Sequence, residues 1–369
     1  MLSGGALRSP ATRKYITRSS RARLIRSRLR ACLLRSPSPR RLSPGICCPT
    51  RCHSTATSGR CPSDHGRCPQ PVRCRRRSRA VGRVRGRRYP RGVTFPDASP
   101  VTPGALDDDL QLALRLADAA DAQTLPRFDA GDLDVSRKAD RSHVTDADLA
   151  AERAVRALLS EHRPGDGVFG EEYGEGERSS RRWIIDPIDG TANFLRGVPA
   201  WGTMIGLQID GVVRLGVVSM PVWGRRWWGA EGLGAFTRTA EGETRPIRVS
   251  EVATLDDASV SFQSIAQWDG AGHLDALIAL TRTVWRDRAY GDIWSYMLLA
   301  EGRLEMVGEF DVKEYDLAAA AAIVAAAGGR FSSFDGEPTI ASGSAIATNG
   351  VLHDAILAVL RGASSSVTP

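Results

Sequence analysis

Residues 183–201 constrain this chain more than any other part of its sequence. They read WIIDPIDGTANFLRGVPAW. The run 183–185 is short, apolar and mostly β-branched, which predicts a buried strand. Pro187 is expected to end that strand because it has no N–H to give to a ladder. Gly190 then allows a tight turn, and Thr191 is a favourable N-cap for a short helix.

Two carboxylates, Asp186 and Asp189, stand at the end of the predicted strand. Carboxylate oxygens placed there could bind a hard divalent cation, and the N–H groups of Gly190, Thr191 and the first helical turn could hold an anion such as phosphate. The alternative is a surface turn with two solvated acids, which the D-x-x-D-G pattern alone would favour. Motifs elsewhere in the chain favour the metal site.

Three motifs in the same order resemble the inositol monophosphatase family of magnesium-dependent, lithium-sensitive phosphatases. Besides D-P-I-D-G-T-A-N-F at 186–194, the chain carries G-E-E at 170–172 and Y-D-L-A-A at 315–319. The last motif precedes an apolar helical stretch that ends in G-G. The resemblance covers roughly residues 106–360, and within the family the chain looks most like the histidinol-phosphatase branch of bacteria.

The resemblance implies an α/β fold of layered α+β type, an alternating αβαβα sandwich. We expect residues 105–362 to form the catalytic domain, with halves at about 105–250 and 251–362. Residues 1–104 are predicted to be a disordered Arg/Ser/Pro-rich extension, and 363–369 a disordered tail.

The pattern of apolar residues, turns and caps predicts the elements around the motifs. Helices are expected at 107–122, 149–161, 274–281, 293–300, 318–327 and 352–360. Strands are expected at 168–170, 202–210, 212–220, 223–228, 258–262, 284–285, 304–307, 331–334 and 345–348.

The resemblance also implies the residues of the site and their roles. The implied ligands of two or three Mg²⁺ ions are Glu171, Asp186, the carbonyl of Ile188, Asp189 and Asp316. The implied catalytic residues are Glu171, Thr191 and Asp189, and the implied substrate-binding residues are Gly190, Thr191, Glu309 and Asp292. Asp148 and Lys138 are placed near a third metal.

Two of these roles have a purely structural alternative. Asp148 precedes a predicted helix and would be an apt cap or first-turn acid. Asp292 could likewise be only the N-cap of the helix at 293–300. The sequence leaves both choices open.

The expected reaction is metal-assisted hydrolysis of a phosphate monoester, with histidinol phosphate as the expected substrate and histidine biosynthesis as its setting. That substrate carries a cationic amine, which would suit Glu309 and Asp292 beside aromatic residues such as Tyr290 or Trp294. The alternatives are an inositol-1-monophosphatase or another sugar or nucleotide phosphatase. From a different class, the alternative is an inactive or nucleic-acid-binding protein that uses its basic segment.

Charge divides the chain into two unlike parts. Residues 1–100 hold 25 Lys and Arg but 2 Asp and Glu, whereas the other 269 residues hold 25 and 40. The first part is interpreted as a misannotated start, a targeting peptide or a basic tail. A zinc site is disfavoured there because its seven Cys form no paired C-x-x-C set. The acidic body argues against nucleic acid, and no apolar run suits a membrane span. The family resemblance implies a homodimer, and a cytoplasmic location is expected.

Overall fold

The structure, a computed structural model, describes residues 105–137 and 143–364. The predictions for residues 1–104 and for Lys138 lie outside this range, as does the tail after Ser364. The helices of the described residues are α1 (Asp107–Thr124), α2 (Asp146–His162), α3 (Thr191–Leu195), α4 (Ile265–Gly270), α5 (Leu274–Thr281), α6 (Asp292–Ala300), α7 (Glu314–Ala326) and α8 (His353–Ser364).

The strands belong mainly to two sheets. An eight-stranded sheet contains β3 (Gly167–Gly170), β4 (Gly174–Glu175), β5 (Arg181–Asp189), β6 (Gly202–Ile209), β7 (Val212–Met220), β8 (Arg225–Ala230), β9 (Gly234–Arg238) and β10 (Thr244–Ile247). A five-stranded sheet contains β11 (Ser259–Phe262), β12 (Arg286–Arg288), β13 (Met306–Phe310), β14 (Arg330–Ser332) and β15 (Ser344–Thr348). A separate hairpin pairs β1 (Val135–Arg137) with β2 (His143–Thr145).

Helices and sheets alternate in five layers, as predicted. Helices α1 and α2 cover one face of the eight-stranded sheet, and α6 and α7 fill the space between the two sheets. Helices α4, α5 and α8 cover the outer face of the five-stranded sheet. The order in the eight-stranded sheet is β10-β9-β8-β7-β6-β5-β3-β4, with β3 parallel to β5, so the ends of these two strands lie side by side.

The alanine-rich helix α7 packs on glycines of the eight-stranded sheet. A Cβ on Gly206 would lie 2.7 Å from the Ala318 Cβ, and one on Gly216 would lie 2.2 Å from the Ala319 carbonyl oxygen. Only residues without side-chain volume allow such close approach of helix and strand backbones. This packing holds the first turn of α7, and with it Asp316, near the sheet.

Two local predictions around the central motif are wrong. Pro187 does not end β5, because the β5–β6 register shifts between Asp186 and Asp189, and a proline in such a bulge need not supply a ladder N–H. Thr191 is not the N-cap of α3. That position belongs to Gly190, whose φ of 85° is accessible to glycine at little cost.

Several element boundaries also move. Asp292 is the first residue of α6 and Gly291 is its N-cap, so the cap interpretation of Asp292 is wrong. The strand predicted at 284–285 is instead β12, and Trp285 before it is 68% exposed. β13 reaches Phe310, which places Glu309 inside a buried strand rather than after it. No helix in residues 105–137 and 143–364 combines the length and apolar character that a membrane crossing requires.

Candidate metal centre

Three predicted metal ligands meet where β5 ends and α7 begins. Asp186 and Asp189 lie on β5, and Asp316 is the third residue of α7. One carboxylate oxygen from each lies within 4.8 Å of the others. The backbone N–H of Lys313 donates to Asp316 Oδ2 at 2.7 Å, which fixes the carboxylate at the helix start. The fold therefore gathers acids that are far apart in the sequence.

Glu171 joins this group from the neighbouring strand. It directly follows β3, and its N–H donates to the Ile185 carbonyl at 3.1 Å, so it lies beside the end of β5. Burial raises the pKa of Asp186 well above its ordinary value, and the charges of Glu171, Asp189, Asp316 and Asp148 raise it further. The backbone contact with Ile185 thus brings Glu171 beside the acids of β5, and its charge acts on Asp186.

The cluster is electrostatically unfavourable without a cation. Burial, followed by the charges of Asp292 and Asp316, raises the pKa of Asp189 well above its ordinary value. Burial also raises the pKa of Asp316 to about 7, with a contribution from Glu171. Like charges at short range and low solvation disfavour ionisation, so a bound divalent cation would offset the free-energy cost of keeping these carboxylates charged.

Two buried oxygens support a metal more directly. Asp186 Oδ1 and Asp148 Oδ1 are buried without a hydrogen-bond partner within the described residues. Unpaired buried carboxylate oxygens are costly unless a cation satisfies them. The surrounding donors are all oxygens, which are the ligands that Mg²⁺ prefers. The residues present therefore fit a hard divalent cation.

Asp148 also takes part in capping helix α2. Its Oδ2 accepts hydrogen bonds from the Thr145 N–H at 2.8 Å and the Thr145 Oγ1 at 2.5 Å, which completes a capping box at the start of α2. Burial raises its pKa to about 6, and the charge of Glu171 adds to the rise. The N-cap of α2 is Thr145, so Asp148 is the predicted first-turn acid and not the cap itself. Its Oδ1 remains for another role. Lys138, its predicted neighbour at the third metal, is outside the described residues.

The turn after β5 places Ile188, Gly190 and Thr191 at the edge of the cluster. Thr191 Oγ1 donates to the Ile188 carbonyl at 3.1 Å, so the predicted hydroxyl and carbonyl are neighbours. A Cβ on Gly190 would approach the Ala200 carbonyl to 3.2 Å and the Asp292 carboxylate to 3.5 Å. Glycine is needed there for its positive φ and for this close approach.

Asp292 links both halves of the site. Its Oδ2 accepts from Asn193 Nδ2 at 2.6 Å and its Oδ1 accepts from Gln263 Nε2 at 3.0 Å. The next backbone N–H, from Ile293, donates to Asp189 Oδ2 at 2.6 Å. Burial raises the pKa of Asp292. The roles of Asn193 and Gln263 were not predicted, because no local pattern marks partners 99 and 29 residues from Asp292.

Glu309 lies deepest among the predicted substrate residues. It is 5% exposed on β13. Burial raises its pKa to about 8; the nearby Tyr296 hydroxyl opposes this rise, and the charges of Asp316 and Asp292 add to it. A cation close to Glu309 would favour its ionised form.

Comparison with known proteins gives one family. The model of the inositol monophosphatase family matches residues 106–365. This chain belongs to that family.

Individual relatives agree with this assignment. The chain is 51% identical over 251 residues to a histidinol-phosphatase of Mycobacterium tuberculosis, covering 68% of this chain and 96% of the relative. It is 49% identical over 257 residues to a histidinol-phosphatase of Streptomyces coelicolor, covering 69% and 97%. Among solved structures, an inositol monophosphatase from Zymomonas mobilis is 34% identical with a TM-score of 0.62, covering 70% of this chain and 99% of that one.

Proposed function

We propose that this protein is a histidinol-phosphatase, which hydrolyses histidinol phosphate to histidinol and inorganic phosphate in histidine biosynthesis. The similarity to two histidinol-phosphatases at about half identity, over nearly their whole lengths, carries the proposal. The acidic cluster supports it, because a phosphate monoester can approach many carboxylates only when cations neutralise them.

We propose that Mg²⁺ is bound by Glu171, Asp186, the Ile188 carbonyl, Asp189 and Asp316, with Asp148 near a further ion. When bound, Mg²⁺ ions of such a site activate water and stabilise charge on the phosphoryl and leaving oxygens. Two or three ions per site are proposed from the family resemblance, and the number of acids is consistent with that count.

Glu171, Gly190 and Thr191 would also act on the attacking water and the phosphate. Glu171 would accept a proton from the attacking water, with the Thr191 hydroxyl orienting it. The N–H groups at Gly190 and Thr191 would hold phosphate oxygens.

Recognition of the amine is assigned to Glu309 and Asp292. The negative charge of Asp292 raises the pKa of Glu309, so the two carboxylates repel each other when both are ionised. An ammonium group would offset that repulsion. Tyr290 and Trp294 flank Asp292 in sequence, and their rings pack edge-to-face with centroids 5.6 Å apart. They would supply an aromatic wall for the cation or the imidazole.

The assembly and setting follow the family resemblance. We propose a homodimer in the cytoplasm. Light scattering of the full chain during size-exclusion chromatography tests the dimer, and a monomeric mass would contradict it.

The test of substrate class compares two phosphate esters on matched variants. Glu309→Gln should raise KM for histidinol phosphate at least about tenfold, and should change KM for inositol 1-phosphate much less, because only the first substrate is cationic. Glu337→Gln, on an exposed side chain, is the control. Equal effects on both substrates, or none on either, would contradict the assignment of Glu309 to the amine.

A further inference from the structure

Glu152 is a buried carboxylate that accepts hydrogen bonds from its own helix and from the turn at 171–173. It lies on α2, four residues after Asp148, and is fully buried. Its Oε2 accepts from the Glu172 N–H at 2.7 Å, and its Oε1 accepts from the Tyr173 N–H at 3.2 Å and from Arg156 Nε at 2.7 Å. A buried carboxylate needs such partners, and two of the three come from the turn that carries Glu171.

Gly170 provides the space for this contact. A Cβ there would lie 2.0 Å from Glu152 Oε1, and the φ of Gly170 is not in the left-handed region, so glycine is required by space rather than by conformation. Arg156 closes the arrangement, because its guanidinium donates to the Gly174 carbonyl at 2.5 Å. Backbone groups of residues 172, 173 and 174 are thereby hydrogen-bonded to α2.

We propose that Glu152 is a positioning residue, which seats the turn at 171–173 so that the Glu171 carboxylate faces Asp186 and the bound metal. The inference rests on the proposed function only in taking Glu171 as a metal ligand. Helix α2 then serves the site twice: Asp148 lies at the cluster, and Glu152, one helical turn later on the same buried side, holds the strand end that delivers Glu171.

Two variants perturb this contact in different ways. Glu152→Gln keeps the size of the side chain but turns one oxygen into an NH₂ group, which faces a donor N–H instead of accepting from it. Gly170→Ala leaves the Glu152 side chain chemically unchanged. The added Cβ would occupy the space of the Glu152 carboxylate, which must move away from the turn. Glu161→Gln makes the same substitution as the first variant on α2, at a side chain that is 71% exposed, and is the matched control.

The experiment measures metal binding and turn protection in the full chain, prepared without metal. Mn²⁺ binding is followed by electron paramagnetic resonance, and hydrogen exchange is followed for the amides of residues 171–173. We expect Glu152→Gln and Gly170→Ala each to weaken Mn²⁺ binding about 10–100-fold and to speed exchange at these amides. The double variant should be little worse than either single one, since both remove the same contact. Glu161→Gln should match the wild type.

Kinetics separate positioning from general stability. At saturating Mg²⁺, kcat of both variants for histidinol phosphate should fall while KM stays within about threefold of the wild-type value. At low Mg²⁺ the activity should fall further, and added Mg²⁺ should restore that further part of the activity. Unchanged Mn²⁺ affinity and exchange in a folded Glu152→Gln protein would overturn the proposal. If that variant does not fold, unchanged values in Gly170→Ala would overturn it equally. A wild type that binds Mn²⁺ but releases no phosphate would refute the proposed function and leave this inference standing on the metal and exchange data.

Discussion

Asp316→Asn should make the metal-free protein more stable while removing its activity. In the metal-free state the pKa of Asp316 rises from 3.8 to about 7, first because of burial and then because of neighbouring acids such as Glu171. A rise of about three pKa units corresponds to about 4 kcal/mol of unfavourable free energy for the ionised form at pH 8. Asparagine removes that charge, and its side-chain oxygen can still accept from the Lys313 N–H.

The sign follows from proton linkage. A folded-state pKa above the unfolded value means that the folded protein binds the extra proton, so the stability of the metal-free wild type increases as pH falls from 8 through 7 toward 4. Above pH 7 Asp316 is ionised in the folded protein, and the full unfavourable free energy of its charge is present. The asparagine variant lacks this contribution, so its advantage should be greatest at pH 8 and should shrink as the pH is lowered.

Urea denaturation in EDTA at pH 8 measures the effect. The free energy of unfolding should increase by about 2–4 kcal/mol in Asp316→Asn. Added Mg²⁺ should stabilise the wild type strongly and the variant weakly, because only binding to the folded state adds stability. Asp354→Asn, at a side chain 85% exposed, should change stability by less than about 0.5 kcal/mol. An Asp316→Asn protein less stable than the wild type in EDTA would refute the electrostatic reasoning.

Three further predictions concern the site, a buried histidine and the helix–sheet packing. Asp189→Asn should lower kcat at least about a hundredfold with unchanged far-UV circular dichroism, and near-wild-type phosphate release would argue against its role. His353 is buried, and burial lowers its pKa from 6.5 to about 4. Neutral His353 should therefore contribute about 3 kcal/mol of stability above pH 6.5, and this contribution should be lost as the pH falls toward 4. The difference in stability between the wild type and His353→Asn should narrow over that interval, and a constant difference would contradict this. Gly216→Ala should lower the free energy of unfolding by about 3 kcal/mol, because its Cβ would meet the Ala319 carbonyl. Gly165→Ala has open space around it and should cost less than about 0.5 kcal/mol in the same urea titration. Equal effects of the two substitutions would refute the packing argument.

The layered fold was predictable because its signals are local or belong to family motifs. The hairpin of β6 and β7 follows from two apolar runs around Asp210-Gly211, and α5 has the predicted bounds. The errors occur where tertiary geometry overrides a local preference. Pro187 continues a strand because a bulge relieves it of its ladder bond, and Gly190 replaces Thr191 as the cap because the turn needs a positive φ.

The residues of the site show the same distinction between those that motifs predict and those that tertiary packing brings in. The motifs identified Asp186, Asp189 and Asp316, which the fold brings together. Glu152, whose turn partners lie 20 and 21 residues away, was missed because neither periodicity nor motif spacing marks a helix residue that bonds to a distant turn. Such pairs are defined only when the strand end and the helix pack against each other.

Phosphate release by the full-length protein tests the central claim most directly. Histidinol phosphate and inositol 1-phosphate are compared at equal concentration, with Mg²⁺ and with EDTA, for the wild type and Asp189→Asn. The account predicts Mg²⁺-dependent release that strongly favours histidinol phosphate and is lost in the variant. Preference for inositol 1-phosphate would contradict the proposed substrate, and equal release in EDTA or by Asp189→Asn would contradict the proposed metal site.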